Sequence, residues 1–168
     1  DWGSWHVAPE QLPSDSGNLR ALLYVGQGPG AVNLWLDVDD DTPVVTAMDG
    51  TLGEQADHVE LWLRDRYGER SWRVARSQNG VSAAQPVTAV DGREPSFALP
   101  AAWIEREGGY RVELKLPIAD PGFDLALEVR DFPVAGADLP RATASTRARG
   151  LRYRSLAPLW QESPLLRN

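Results

Sequence analysis

Apolar and polar residues take turns along most of this chain, and a period of two predicts strands whose alternate side chains face a core. The alternation is clear in Ala21–Gly26, Ala31–Val38, Asp57–Arg66, Ser71–Ser77, Tyr110–Ile118, Asp124–Asp131 and Leu151–Ala157. Turn-forming stretches separate these segments: "GQGPG", "RYGER", "SQNG", "VDGRE", "REGG" and "DPG". Such residues supply the backbone angles that reverse a chain. "RDRYGERSWRV" predicts a hairpin with Gly68 at its tip. The best helix candidate is Pro100–Glu107, with proline at a plausible first helical position and a length of about two turns. Many short strands joined by turns predict an all-β protein, a sandwich or a barrel.

The same alternation sorts side chains into faces. Val32, Leu34, Leu36 and Val38 are expected to meet Val59, Leu61, Leu63, Val112, Leu114, Leu116, Leu125, Leu127 and Val129 in an inter-sheet core. The opposite faces carry Asn33, Trp35 and Asp37, then Glu60 and Trp62, then Arg111, Glu113 and Lys115, and finally Glu128 and Arg130. If those strands are neighbours, two tryptophans share one surface with alternating charges. Cross-strand ion pairs with tryptophan covering arginine stems would explain that pattern, and so would a flat platform for a sugar.

At 168 residues the chain suits one domain spanning 1–168. Its formal charge of −7 and isoelectric point near 4.8 exclude a phosphate-binding surface, so no nucleic-acid partner is expected. There is no cysteine, which removes disulfides and thiolate metal sites. No apolar run reaches the roughly 18 residues that read as a membrane span. The chain opens at Asp1 without an initiator methionine, which leads to the expectation of an excised or processed segment.

Four stretches occur in order: "DVDDDTPV", "ADHVELWL", "GGYRVELKLPI" and "DLALEVRDF". Together they resemble the family 9 carbohydrate-binding modules. There a strand ends in a paired-Asp turn, here Asp39–Asp40, and an Asp-Ser-Val-Glu strand follows, here Asp57 to Glu60. A strand ending in proline comes next, here Tyr110 to Pro117, and then one ending in Val-x-Asp, here Val129 to Asp131. The opening Asp1 and Trp2 look like the tail of the family's first motif, so the resemblance runs over residues 1 to 157. It implies an antiparallel β-sandwich, immunoglobulin- or jelly-roll-like, that binds saccharide without catalysis. It also implies an extracytoplasmic setting, periplasmic or secreted, beside transmembrane or catalytic domains of a larger protein. Similar domains look like the sensor or input modules of bacterial membrane-bound signalling kinases, so the alternative is a sensor for a small molecule or partner protein. One departure stands out. The aromatic that precedes the Asp-Ser-Val-Glu strand in sugar-binding members has no counterpart in "MDGTLGEQADHVE", and Trp160 is the tryptophan nearest the expected second wall.

The resemblance assigns sugar contacts residue by residue. Glu60 matches the family's strand glutamate, a strong acceptor for hydroxyls, or else pairs with a neighbouring arginine. Arg76, Gln78 and Asn79 fall where the family places polar sugar-contacting groups, although Asn79-Gly80 also reads as an ordinary hairpin turn. Apart from the resemblance, Trp72 offers a ring face for a pyranose by analogy with other stacking on aromatics, or shares the core side of its strand with Val74. Asp39, Asp40 and Asp41 repel one another, and three outcomes are open. One acid can cap the turn before Pro43, the set can hold a structural calcium ion as the resemblance implies, or it can touch ligand. No cofactor is required in any of these. His6 and His58 form no metal-binding pair and no serine lies in a Gly-x-Ser-x-Gly elbow, so no enzyme activity is expected.

Overall fold

A computed structural model describes residues 9–28, 31–42, 56–65, 68–76, 83–87, 98–117, 124–134, 137–146 and 154–155. The strands in chain order are β1 (Glu10–Gln11), β2 (Arg20–Gly28), β3 (Ala31–Asp39), β4 (His58–Asp65), β5 (Gly68–Ala75) and β6 (Ala83–Val87). They continue with β7 (Leu99–Arg106), β8 (Gly109–Pro117), β9 (Asp124–Asp131), β10 (Ala142–Ser145) and β11 (Arg154–Ser155). No described residue is helical.

Every pairing is antiparallel, and the strands lie in the order β1-β2-β3-β8-β7-β6-β5-β4-β9-β10, with β11 also against β9. One layer is β1-β2-β3-β8-β7 and the other is β5-β4-β9-β10 with β11. β6 joins them on one side by pairing with both β5 and β7. On the other side Ser14 bridges Ala144, the Asp15 N–H donates to Thr143 O at 3.0 Å, and the Ser145 N–H donates to Pro13 O at 2.9 Å. The result is an antiparallel β-sandwich, as the alternation and the resemblance both led one to expect.

The core is built by register. Leu34 lies opposite Leu114 and Leu36 opposite Val112 in one layer. Val59 faces Val129, Leu61 faces Leu127 and Leu63 faces Leu125 in the other. All thirteen apolar positions expected in the core are at most 5% exposed. Burying each such side chain contributes roughly 1.5–3 kcal/mol.

Three expectations need correction. Pro100–Glu107 is no helix: the span lies in β7 up to Arg106, with Glu107 in the turn that follows, Ala101 opposite Leu114 and Trp103 opposite Val112. Its spacing is too short to settle a helix, whereas pairing with β8 satisfies its backbone and packs Ala101 and Trp103 against the core. Gly68 is the first residue of β5 rather than the hairpin tip, since Asp65 pairs with it at the base. Finally, Trp35 and Trp62 do not share a surface, because β3 and β4 belong to different layers.

Candidate functional site

On the outer face of the first layer, Trp35 does what the ion-pair explanation requires. The Arg111 guanidinium lies 3.8 Å from the centre of the Trp35 ring, and its Nε donates to Asp37 Oδ1 at 2.9 Å. Tyr24 flanks the tryptophan with ring centres 5.7 Å apart. A guanidinium already stacked on that indole occupies the face that a pyranose would use.

The outer face of the second layer is different, because its polar groups are buried. Alternation along β4 turns His58, Glu60 and Trp62 away from the core, yet all three are at most 9% exposed. Glu60 sits opposite Arg73 on β5 and Glu128 on β9. Arg73 donates to Glu60 Oε1 through Nε at 3.1 Å and Nη2 at 2.6 Å. Arg130 Nη2 lies 3.5 Å from Glu60 Oε2, while its Nε donates to Glu128 Oε1 at 2.6 Å. The like charges of Glu60 and Glu128 are thus bridged by Arg130.

His58 closes one end of this strip. Its Nδ1 lies 2.7 Å from Ala56 O, its ring stacks 5.7 Å from Phe132, and Nε2 stands 3.7 Å from Glu60 Oε1, beyond hydrogen-bond reach. Burial drives its pKa down to about 4; the Ala56 carbonyl opposes this, as does Glu60, while Arg73 and Arg130 reinforce it. His58 is therefore neutral at physiological pH.

Beside this strip lies a second cluster. The ends of β3, β4 and β9 bring Asp40, Asp57 and Asp131 together, all buried, each offering one carboxylate oxygen within 4.8 Å of the others. Asp57 Oδ1 accepts the Phe132 N–H at 2.7 Å, and Asp40 Oδ1 accepts the Thr42 N–H at 2.9 Å. Arg141 grips both oxygens of Asp131, Nε to Oδ2 at 2.9 Å and Nη2 to Oδ1 at 3.0 Å. The same Nη2 lies 3.4 Å from Asp40 Oδ1 and 3.1 Å from Asp41 Oδ1. Asp40 Oδ2 and the fully buried Tyr110 hydroxyl have no hydrogen-bond partner among the described residues. Tyr110 is pushed well above its ordinary pKa by burial first and then by the charges of Asp57, Asp40 and Asp131. Asp131 is raised as well, first by burial and also by Asp40 and Asp41, against the pull of Arg141.

These acids are able to hold a hard cation. Calcium takes oxygens at about 2.3–2.6 Å, so two ligands on opposite sides of one ion stand about 5 Å apart. Carboxylate oxygens within 4.8 Å of one another fit that span, and the orphaned Asp40 Oδ2 fits the donor chemistry.

The residues singled out in the sequence fall in several places. Glu60 lies in the buried strip, held by the neighbouring arginine that the simpler alternative named. Trp72, weighed as a sugar contact, is 1% exposed and packs in the core, because it shares the inward side of β5 with Val74. Arg76 follows β5 with that same parity, away from Arg73, and its Nη1 pairs with Glu105 Oε1 at 2.7 Å. Gln78 and Asn79 lie outside the described residues. The run Asp39–Asp41 diverges: Asp39 faces Arg20 and Arg106, Asp41 is exposed beside Arg141, and Asp40 alone enters the buried cluster. Asp40 also caps the turn through Thr42, the local role foreseen for one of the three.

Sequence spacing singled out neither Arg73 nor Arg130 as site residues, although their outward parity opposite Glu60 and His58 was available. Asp57 and Asp131 appeared only as motif ends. Tyr110 too appeared only as a motif end and Arg141 carried no signal, because their placement depends on which strand ends meet.

No family model matches this sequence, and no curated protein matches it. Among solved structures, the chain is similar in fold to a family 9 carbohydrate-binding module from Caldicellulosiruptor kristjanssonii determined in complex with cellotriose. The match has a TM-score of 0.58 at 16% sequence identity and covers 83% of this chain and 72% of that one. It is a likeness of fold, to the family that the ordered motifs resemble.

Proposed function

We propose that this chain is a non-catalytic carbohydrate-binding module acting as an extracytoplasmic part of a larger protein. The observation that carries the proposal is the ionic strip across β4, β5 and β9, in which Glu60 fixes Arg73 and Arg130 and Glu128 fixes Arg130. A guanidinium held along one edge by a carboxylate is a preorganised donor, and preorganised donors bind neutral hydroxyls with little ordering cost. Arg130 stands at the solvent side of the strip, its side chain 34% exposed. Glu60 then positions the arginines instead of meeting the sugar itself, as its own burial demands. The fold's likeness to a module seen with cellotriose supports a saccharide as the ligand class.

A calcium ion at Asp40, Asp57 and Asp131 would lie beside the strip, apart from the sugar contacts, in this proposal, and the fold would not depend on it. The test is titration with a panel of mono- and oligosaccharides, cello-oligosaccharides included, read by tryptophan fluorescence and by melting temperature. A saturable response is expected, weakened at least ~10-fold by Arg130→Ala, about 1.4 kcal/mol. A panel that moves neither signal overturns the saccharide assignment.

A further inference from the structure

The buried aspartates are occupied on one side by a residue of the chain itself. Arg141 enters the cluster from solvent, its side chain 33% exposed over carboxylates that are 0% and 2% exposed at Asp40 and Asp131. It is anchored twice, because its backbone N–H donates to Asp131 O while its side chain holds both Asp131 oxygens. One Nη2 reaches the carboxylates of Asp40, Asp41 and Asp131 together, the position from which a bound cation would bridge them.

We propose that Arg141 is the cluster's built-in counter-cation: it lets the domain fold without metal and holds down the affinity for a divalent ion at Asp40, Asp57 and Asp131. Two observations carry this. A guanidinium bonded to Asp131 and reaching Asp40 and Asp41 already screens the repulsion that a metal would otherwise have to relieve. It does so incompletely, since among the described residues Asp40 Oδ2 stays buried and unpartnered within the cluster. A second cation can therefore enter, but only against the charge of the first.

The proposal rests on the cation-binding capacity of the cluster and is indifferent to whether a sugar binds. Its test is calcium titration calorimetry, with thermal unfolding in EDTA and in calcium, on the 168-residue chain and on Arg141→Gln. The unaltered chain is expected to melt within ~2 °C of the same temperature in both conditions. Arg141→Gln should melt roughly 4–8 °C lower in EDTA, recover most of that loss in calcium, and bind calcium at least ~10-fold more tightly. Arg141→Lys keeps the charge and loses the fork, so it should melt between the two and bind calcium no more tightly than the unaltered chain. If Arg141→Gln does not fold in EDTA, folding on addition of calcium is the supporting result. Three results overturn the proposal: unfolding of the unaltered chain by EDTA, a loss in Arg141→Gln that calcium does not restore, or no calcium binding by either chain.

Discussion

The Phe132 N–H donates to Asp57 Oδ1 at 2.7 Å, while the Phe132 ring stacks against His58, the residue next to Asp57. One residue thereby ties the aspartate cluster to the ionic strip. The end of β9 cannot shift without disturbing both.

That link gives a prediction for Asp57. Asp57→Asn keeps an acceptor for the Phe132 N–H and removes one charge from a crowded group, so its stability in EDTA should lie within ~1 kcal/mol of the parent. Asp57→Ala strands the N–H and should cost about 1–3 kcal/mol. Urea denaturation of both variants checks this, and equal losses would contradict it.

His58 should make stability depend on pH. Its folded pKa, about 4, lies below the value of 6.5 that it has unfolded, so the unfolded chain binds the extra proton between those limits. Stability is then full above pH 6.5 and declines as the pH falls toward 4, by roughly 2–4 kcal/mol from this group. Asp131 acts in the opposite sense, because a carboxyl raised in the folded state gains stability on protonation above its ordinary 3.8. Comparison with His58→Gln isolates the histidine: the slope between pH 6.5 and 4 should flatten in the variant. An unchanged slope would show that the ring is charged in the fold.

Truncating Glu60 should cost stability before it costs anything else. Its side chain and that of Arg73 are 8% and 11% exposed, so Glu60→Ala leaves a buried guanidinium without its carboxylate. A loss of about 2–4 kcal/mol is expected in urea, and a Glu60→Gln, Arg73→Gln double-mutant cycle should show coupling above ~1 kcal/mol. A glutamate kept only to meet ligand would leave stability untouched when removed.

Gly109 has no room for a side chain. It pairs with Asp39, adopts a φ of +153°, and a Cβ there would lie 2.0 Å from Val38 O. Gly109→Ala must push β8 away from β3, next to the turn where the Asp40 N–H donates to Gly108 O, and should cost roughly 3 kcal/mol or more. Gly17→Ala is the control, since nothing lies within 4 Å of its Cβ; a change below ~0.5 kcal/mol is expected there. Comparable melting temperatures for the two would refute the steric account.

Much of the fold was legible because strand periodicity is a local property. Leu34, Leu61, Leu114 and Leu127 announce their face through their immediate neighbours, and tertiary packing had only to agree. Pro100–Glu107 misled for the complementary reason: "AAWI" offers apolar residues at spacings that serve either element, and pairing with β8 decides between them. The site was less legible. Asp40, Asp57 and Asp131 are separated by 17 and 74 positions, and their meeting is a property of strand order that no local pattern encodes. Three adjacent aspartates drew the eye, yet a strand end sends adjacent side chains in different directions, and only Asp40 turns inward.

The bridge between Ser14 and Ala144, with β6 on the far side, has a consequence for behaviour in crowded solution. Sheets with bare flanks invite a foreign strand to dock and seed fibrils, whereas here part of each flank of the described circuit is already bonded to its own chain. These closures narrow the stretch of backbone on which a second copy could add a strand, which favours tolerance of high concentration.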